Sequence, residues 1–519
     1  MVRQVAGGEV EERFVALLSN AAAVRAVAAV VEGTLGPKGL DCMLVDRFGD
    51  VTITNDGSTI LDKIDAQHPA ARLLISGAQA QDREVGDGTT TATVLASALI
   101  TQAVTHAGRG VPITKLVEGI RLGISTAVAG LQRRARPIAG LDDPLLRDTA
   151  VIAARGDQGI ADLAVDAARR VGADTLKDPT YRLADWVVAK EGAKDETFGG
   201  VIVDQEPVNV QMPRSLQNVR VLLLDDPLEP EPLDGQAMGT EIGFRRYMEL
   251  QDEFRKWLDT LQSAGIGLVA STKAVAGEAE ERLTQAGIIA TRRLSLREME
   301  RLAENTGARI LKRGSLKRPL AELTQFLGTA ADVSADQELD LLRVTGAGPR
   351  PAATILVGAA TRQVRDERER IAVDAAWAVQ QTVKGGVLVG EGAAALAVVP
   401  EVETVKSKAG GMVSYGVDCV IEALKTPISR ILANAGFNPL EKLEEATRAQ
   451  REHGDTWGID TDSGEPTDMA ADHVFDPAPV MIYALRTAGE VAEAILRINT
   501  IIKKREVALT GPPPPPPPA

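Results

Sequence analysis

Cysteine is almost missing from this chain. Its 519 residues hold two, Cys42 and Cys419, far apart and without Cys-x-x-Cys spacing. A disulfide framework or a thiolate zinc site is therefore not expected, and a reducing, cytoplasmic compartment fits. Positive charge is also short. Lys and Arg number 58 against 72 Asp and Glu, and no basic block reverses the balance. That argues against a dedicated nucleic-acid binder and for solubility. The start, MVRQVAGGEVEERF, has no apolar h-region, which argues against secretion. No run is expected to approach the roughly 18 apolar residues of a membrane span, so no membrane partner is expected. Aromatics make up 3% of the residues, so helix packing must rest on Ala, Val, Leu and Ile.

What is present is an ordinary globular mixture, 44% hydrophobic and 25% charged, in a chain too long for one compact core. Two or three domains are expected. Phe14, Leu17, Leu18, Ala21, Val24, Ala28 and Val31 recur at three- and four-residue steps and predict a helix over about 9–32. CMLV and VTIT, joined by DRFGD, predict a hairpin, and further helices follow to about Arg136. The texture then changes. VRVLLL, GIGLVAS, GIIATRRL and ARIL are strand-like, with helical stretches between them, which predicts an α/β module in the middle of the chain. The C-terminal part returns to helix, with Met481, Leu485, Ala488, Ala492, Ile495 and Ile502 near one stripe. An α/β module inserted into a helical domain gives this order, and so do three separate domains. The tail, with proline from 512 to 518, cannot be helical and is expected to stand clear as a disordered or spacer segment over 510–519.

Several loops combine glycine with acid. In GDGTTT (86–91), Gly86 and Gly88 let the backbone approach a ligand closely. Thr89, Thr90 and Thr91 open a helix whose N–H groups and dipole favour phosphate. Asp87 stands where a magnesium ligand would, since Mg²⁺ takes a carboxylate plus phosphate oxygens. The spacing is not that of a Walker A loop, and a capped helix start would use the same residues. TLGPKG (34–39) is a glycine-bracketed turn that could face an anion or simply end a helix. TNDGST (54–59) puts Asp56 in excellent tight-turn chemistry. Asp374 is an acid on an otherwise apolar helix face among Ile371, Ala375 and Ala378. It is either functional or paired locally with Arg370. One carboxylate on Mg²⁺ and one on water would suffice for phosphoryl transfer to water.

Taken together, these motifs stop being independent. TLGPKGLDCMLVDRFGDVTITNDGSTIL followed by VGDGTTTATVLASALI closely resembles a chaperonin ATP site. The resemblance continues through ERIAVDAAWAVQQTVKGGVLVGEGAAAL, GVDCVIEALKTPISRILANAG, WGIDTDSGEPTDM, VFDP and AGEVAEAILRIN, nearly the whole chain in order. MPRSLQNVRVLLLDDPLE and AGIIATRRLSLREMERLAENTGARI are similar to the apical domain of the lid-bearing, thermosome-like group II type, with the bacterial group III branch a plausible home. The resemblance implies a multidomain α/β fold. It comprises a mostly helical equatorial domain (1–144 and 393–519), a small intermediate domain (145–211 and 361–392) and an α/β apical domain (212–360). A helical protrusion over about 229–264 would serve as a built-in lid.

The family implies a homo-oligomeric double ring of about eight subunits per ring. ATP with Mg²⁺ would close the lid on non-native client proteins without a separate co-chaperonin. Carried over by motif, Leu35, Gly36 and Pro37 lie on the phosphate side of the nucleotide. Asp87 ligates Mg²⁺, and Gly88, Thr89, Thr90 and Thr91 hold phosphates. Asp56 and Asp374 position or activate the attacking water. Gly392 and Asp476 contact the nucleoside, Asp476 on its ribose, and Gly458 and Asp460 belong to a base-side loop.

Two departures bear on function. GEGAAAL stands where the family usually has three glycines and then an acid, so Glu391 adds a side chain beside the nucleotide. Arg155 occupies about the place of a lysine that lid-type relatives keep near the γ-phosphate, where its planar fork differs from an ammonium. An ATP-driven folding chamber is the primary expectation. The alternative is a chaperonin-shaped scaffold or holdase with weak ATPase, which Glu391 favours. A metabolic kinase would need an acceptor pocket, and the sequence gives no sign of one. In the lid, Phe244, Tyr247, Met248, Phe254, Leu258 and Leu261 are expected along one helix face. That face either packs on the apical core or grips exposed apolar surface.

Overall fold

The computed structural model describes residues 8–233, 240–317, 320–348 and 350–498. The polyproline segment and Ile502 lie outside them. The expected first helix runs Gly8–Val31, and the hairpin pairs Cys42–Val45 antiparallel with Val51–Thr54. Helices follow at Pro69–Val85, Thr89–Gly108 and Ile113–Arg134. They pack with Val413–Asn434 and Ala478–Leu496, from the far end of the chain, into one apolar core. Small residues set the spacing. A side chain at Gly119 would strike the Val413 carbonyl at 2.1 Å, and one at Gly416 would strike the Leu116 carbonyl at 2.2 Å, so two helices touch backbone to backbone.

One expectation is corrected here. The stretch Phe14–Thr34 has 21 residues and a mean hydropathy of 2.0, long and apolar enough to cross a membrane by length and composition. Asn20, Arg25 and Glu32 interrupt the apolar residues, which hides the stretch from a search for an unbroken run. In the fold its inner face, Leu17, Ala21, Val24, Ala28 and Val31, is buried in the helical core.

The middle of the chain holds a seven-stranded sheet. The four expected segments are strands Ser215–Leu224, Ile266–Ser271, Ile289–Thr291 and Ile310–Leu311, paired parallel. Three more extend the sheet antiparallel: Val201–Val203, Gly328–Asp336 and Leu341–Gly346. The strand GTAADVSAD carries Ala and Asp rather than β-branched residues throughout, which is why its pattern is weak. Alternation along the central strands shows both faces covered. Val221 and Leu223 face one cluster with Trp186 and Val379, while Leu222 and Leu224 face another with Leu258 and Leu261.

The first cluster also takes in the long helix Arg362–Gly385 and the helices Pro144–Ala153 and Gln158–Val171. Within it Gln380 is fully buried and satisfied. It accepts from Leu183 N at 3.0 Å and donates to Leu176 O at 2.9 Å and Tyr181 O at 2.7 Å.

The helix Glu241–Ser263 corrects the expected lid stripe. Leu250, Leu258 and Leu261 are buried and Phe254 and Trp257 pack against the same cluster, but Phe244 and Met248 are exposed. The buried positions follow 243, 250, 258 and 261, so Phe244 and Met248 sit one step off the line.

Candidate active site

Asp87 reaches its place through two left-handed glycines. Gly86 ends the Pro69–Val85 helix at φ 73°, and Gly88 precedes the Thr89–Gly108 helix at φ 79°. Both positions strain any residue with a Cβ. Gly86 is also covered by the indole of Trp377, and a side chain there would lie 2.1 Å from the ring. Behind the loop, buried Gln81 donates to Asp87 O at 2.9 Å and Val480 O at 3.1 Å and pins it to the Ala478–Leu496 helix. The N-cap at Gly88 offers no side chain to the helix start, so the first N–H groups of the threonine turn remain open to an anion.

TNDGST opens a helix instead of forming the expected tight turn, and it faces the cleft. Asp56 caps the helix Gly57–Lys63. Its Oδ1 accepts from Ser58 N at 3.2 Å, and its Oδ2 accepts from Thr59 N at 2.9 Å and Thr59 Oγ1 at 2.6 Å. A side chain at Gly57 would meet Thr90 Oγ1 at 2.1 Å, so the two loops lie against each other.

Asp374 comes in from the Arg362–Gly385 helix, where Ala375 and Ala378 are buried and Asp374 is one-third exposed to the cleft. The local partner is real as well. Arg370 Nη1 lies 3.4 Å from Asp374 Oδ2, and Arg370 Nη2 lies 2.6 Å from Glu367 Oε1.

These groups line one cleft of about 360 Å³. It joins Leu35, Gly36, Asp56, Asp87, Gly88, Thr89, Thr90, Thr91 and Asp374. Arg155 is there too, at φ 54°, bonded to Asn55 Oδ1 and 3.3 Å from Glu367 Oε1. Sequence reasoning missed Asn55, Asp82 and Trp377 as lining residues. Trp377 stands one helical turn after Asp374, a signal that helix periodicity could have supplied.

Charge in the cleft is crowded. Burial first, and then the Asp87 charge, hold Asp374 well above the ordinary carboxyl range, against the pull of Arg370 and Arg155. Asp87 is raised by loss of bulk water, then by Asp56 and Asp82, with the Gly88 N–H opposing. Its side chain still meets the water of the cleft, so this desolvation is weaker than a sealed core would impose. Asp82 is raised by burial and by Asp56.

The remaining expected residues lie beside this cleft rather than among its lining. Gly392 rests on the same helix as the cleft-lining Gly36: side chains at the two would strike Ile428 at 2.9 Å and Ile431 at 2.9 Å, one turn apart. Asp476 pairs across strands with Leu388, next to the Gly390 turn, and is pushed up to about 7 by burial and by Asp87. Gly458 lies over Met469 and Ala393. Asp460 is committed to its own turn, accepting from Ser463 Oγ at 2.6 Å, Ser463 N at 3.0 Å and Asp462 N at 3.2 Å. Pro37 sits in the turn that brings Lys38 onto Asp462, an ion pair joining the two loops.

Fold and cleft define a helical domain, with an acidic, glycine-rich cleft, interrupted by an α/β module. The chain belongs to the TCP-1/cpn60 chaperonin family, whose profile matches residues 27–506. It is 33% identical over 502 residues to a thermosome subunit of Desulfurococcus sp. (strain SY), covering 93% of this chain and 91% of that one. It is 34% identical to the thermosome subunit beta of Archaeoglobus fulgidus over 502 residues, with the same coverage. A group III chaperonin crystallised in the open state superposes with a TM-score of 0.86 at 44% identity, covering 95% of this chain and all of that one. The chain is therefore a thermosome-like chaperonin subunit of the group II/III type.

Proposed function

We propose that the cleft binds ATP with Mg²⁺ and hydrolyses it to drive a homo-oligomeric double-ring chamber that encloses non-native proteins. The observation that carries this reading is the meeting of Asp56, Asp87 and Asp374 with an uncapped helix N-terminus in one cleft. Among the described residues no group of three or more His, Cys, Asp or Glu is placed to hold a metal ion. That suits a cation held by one carboxylate, Asp87, with phosphate and water completing its shell. When bound, Mg²⁺ supplies charge neutralisation on the phosphate oxygens.

The chain's own groups do the rest. The N–H groups of Thr89, Thr90 and Thr91 orient the phosphates. Asp374, kept partly exposed on a rigid helix, holds the attacking water and accepts its proton. Burial and the Asp87 charge raise its carboxyl, and Arg370 opposes them. Asp56, immobilised by three local donors, fixes the far side of that water. Arg155 and Arg370 balance the acids.

The test is steady-state and single-turnover ATP hydrolysis by wild type beside Asp374→Ala. Binding is expected to persist while turnover falls at least about tenfold, roughly 1.4 kcal/mol in barrier. An unchanged rate would remove Asp374 from its role. A second reading, a scaffold or holdase with weak ATPase, is favoured by Glu391, whose side chain crowds acids already near Asp476. Absence of turnover in the wild type would select it.

A further inference from the structure

We propose that Glu367 is a positioning residue for the cleft: it holds the Arg155 and Arg370 guanidinia off Asp374, so that the Asp374 carboxylate stays free for the attacking water. The inference rests on the ATP reading above and deepens it. Glu367 is not among the residues that line the cleft, so it acts through the two arginines that are.

The bond pattern carries the inference. Glu367 receives Arg370 as a fork: Arg370 Nη2 donates to its Oε1 at 2.6 Å, and Arg370 Nε donates to its Oε2 at 3.2 Å. The same Oε1 accepts from Arg155 Nη1 at 3.3 Å. Asp374 is served far less well. The one hydrogen bond it accepts among the described residues comes from Arg370 Nη1, at a long 3.4 Å. A two-point guanidinium–carboxylate pair is stronger and more directional than a single long contact. Two carboxylates therefore compete for one cation, and Glu367 has the better geometry.

Helix spacing sets up this contest. On the helix Arg362–Gly385, Glu367 stands three residues before Arg370 and Asp374 four after it, so one guanidinium lies between two acids of the same face. Arg370 is largely withdrawn from water, with 19% of its side chain exposed, and needs acceptors. Burial works against its charge, and the Glu367 hydrogen bond and then the Asp374 charge more than offset that. Arg155 comes from the turn after the helix Pro144–Ala153, and its Nη2 is bonded to Asn55 Oδ1, beside Asp56. Glu367 thereby ties the helix of Asp374 to the loop of Asp56, the second acid assigned to the water.

Without Glu367, Arg370 keeps one carboxylate within reach. Its fork would turn onto Asp374 and occupy lone pairs that otherwise accept from water. A plain helix-surface ion pair, by contrast, would contribute little, and its loss would leave the chemistry untouched.

The experiment measures single-turnover ATP hydrolysis and equilibrium ATP affinity on the assembled particle, for wild type, Glu367→Ala, Arg370→Gln and the double variant. Alanine suits an exposed helix position, so Glu367→Ala is expected to assemble, which native mass checks. In Glu367→Ala, hydrolysis at saturating ATP is expected to fall about tenfold, the scale of one charge-assisted hydrogen bond turned onto the base, while ATP binds as tightly as to wild type. Removing the released cation should undo the harm: Glu367→Ala with Arg370→Gln is expected to hydrolyse faster than Glu367→Ala alone. A merely structural part for Glu367 predicts the opposite, because a second loss from one network adds damage. A Glu367→Ala rate within about twofold of wild type, or a double variant no faster than Glu367→Ala, would overturn the proposal and leave the ATP reading in place. If Glu367→Ala does not assemble, Glu367→Gln, which keeps the shape without the charge, is compared with its own Arg370→Gln double by the same criteria. A wild type that fails to hydrolyse ATP would overturn the hydrolysis reading and this inference with it.

Discussion

Gly86 gives the sharpest test of how the cleft is built. Replacing it with alanine does two separable things. The left-handed φ of 73° costs a Cβ-bearing residue about 1–2 kcal/mol. The new methyl also lands 2.1, 2.2 and 2.3 Å from three indole atoms of Trp377, closer than Cβ atoms are found to approach. A fused ring packed between helices cannot bend away, so either the ring or the loop must shift, at a cost of about 1–3 kcal/mol.

The loop is the weaker element and carries Asp87. A displacement of about 1 Å there should slow turnover on the order of a hundredfold. Trp377→Ala removes the obstacle. In a double-mutant cycle on single-turnover ATP hydrolysis, Gly86→Ala with Trp377→Ala should therefore be less impaired than the two single effects combined, with a coupling of about 1–3 kcal/mol. Additive effects, or a Gly86→Ala particle within twofold of wild type, would refute the claim that this contact positions Asp87.

Two further expectations concern stability. Glu391 and Asp476 are each raised to about 7. Between the ordinary carboxyl range of about 4 and that value, the folded chain binds more protons than the unfolded one. Stability should then fall as pH rises through this window and level off above it. Melting of the nucleotide-free protein should show that slope, Glu391→Gln should flatten it, and equal slopes would count against the buried pair. Gln380→Leu leaves the Leu183 N–H and the Leu176 and Tyr181 carbonyls without their buried partner. It should cost about 3 kcal/mol or more, seen as a lower urea midpoint. A loss below 1 kcal/mol would mean that water reaches them.

Local chemistry was readable before any fold was known. The glycines at 86 and 88 and the helix opened by three threonines depend on backbone geometry within a few residues, so periodicity and turn rules find them, whereas Asp56 read as a tight turn and proved to be a helix cap. The helical, α/β, helical order was readable for the same reason. Pattern alone left its topology open, since an insertion and three separate domains share one pattern, and it was the family resemblance that implied the insertion. Weak strands such as Gly328–Asp336 escaped because their pairing partners, not their composition, make them strands.

The sequence by itself determined which segments become helices and loops, and which loops combine glycine with acid at a helix start. Those choices rest on φ preferences, capping and hydrophobic spacing, all short-range. Only the tertiary structure decided that Asp374, far along the chain, faces Asp87, and that Trp377 closes over Gly86. It alone turned the Glu391 carboxyl inward beside Asp476. Those outcomes depend on how the Arg362–Gly385 helix and the 387–389 and 475–477 strands pack, and packing is set by contacts hundreds of residues apart.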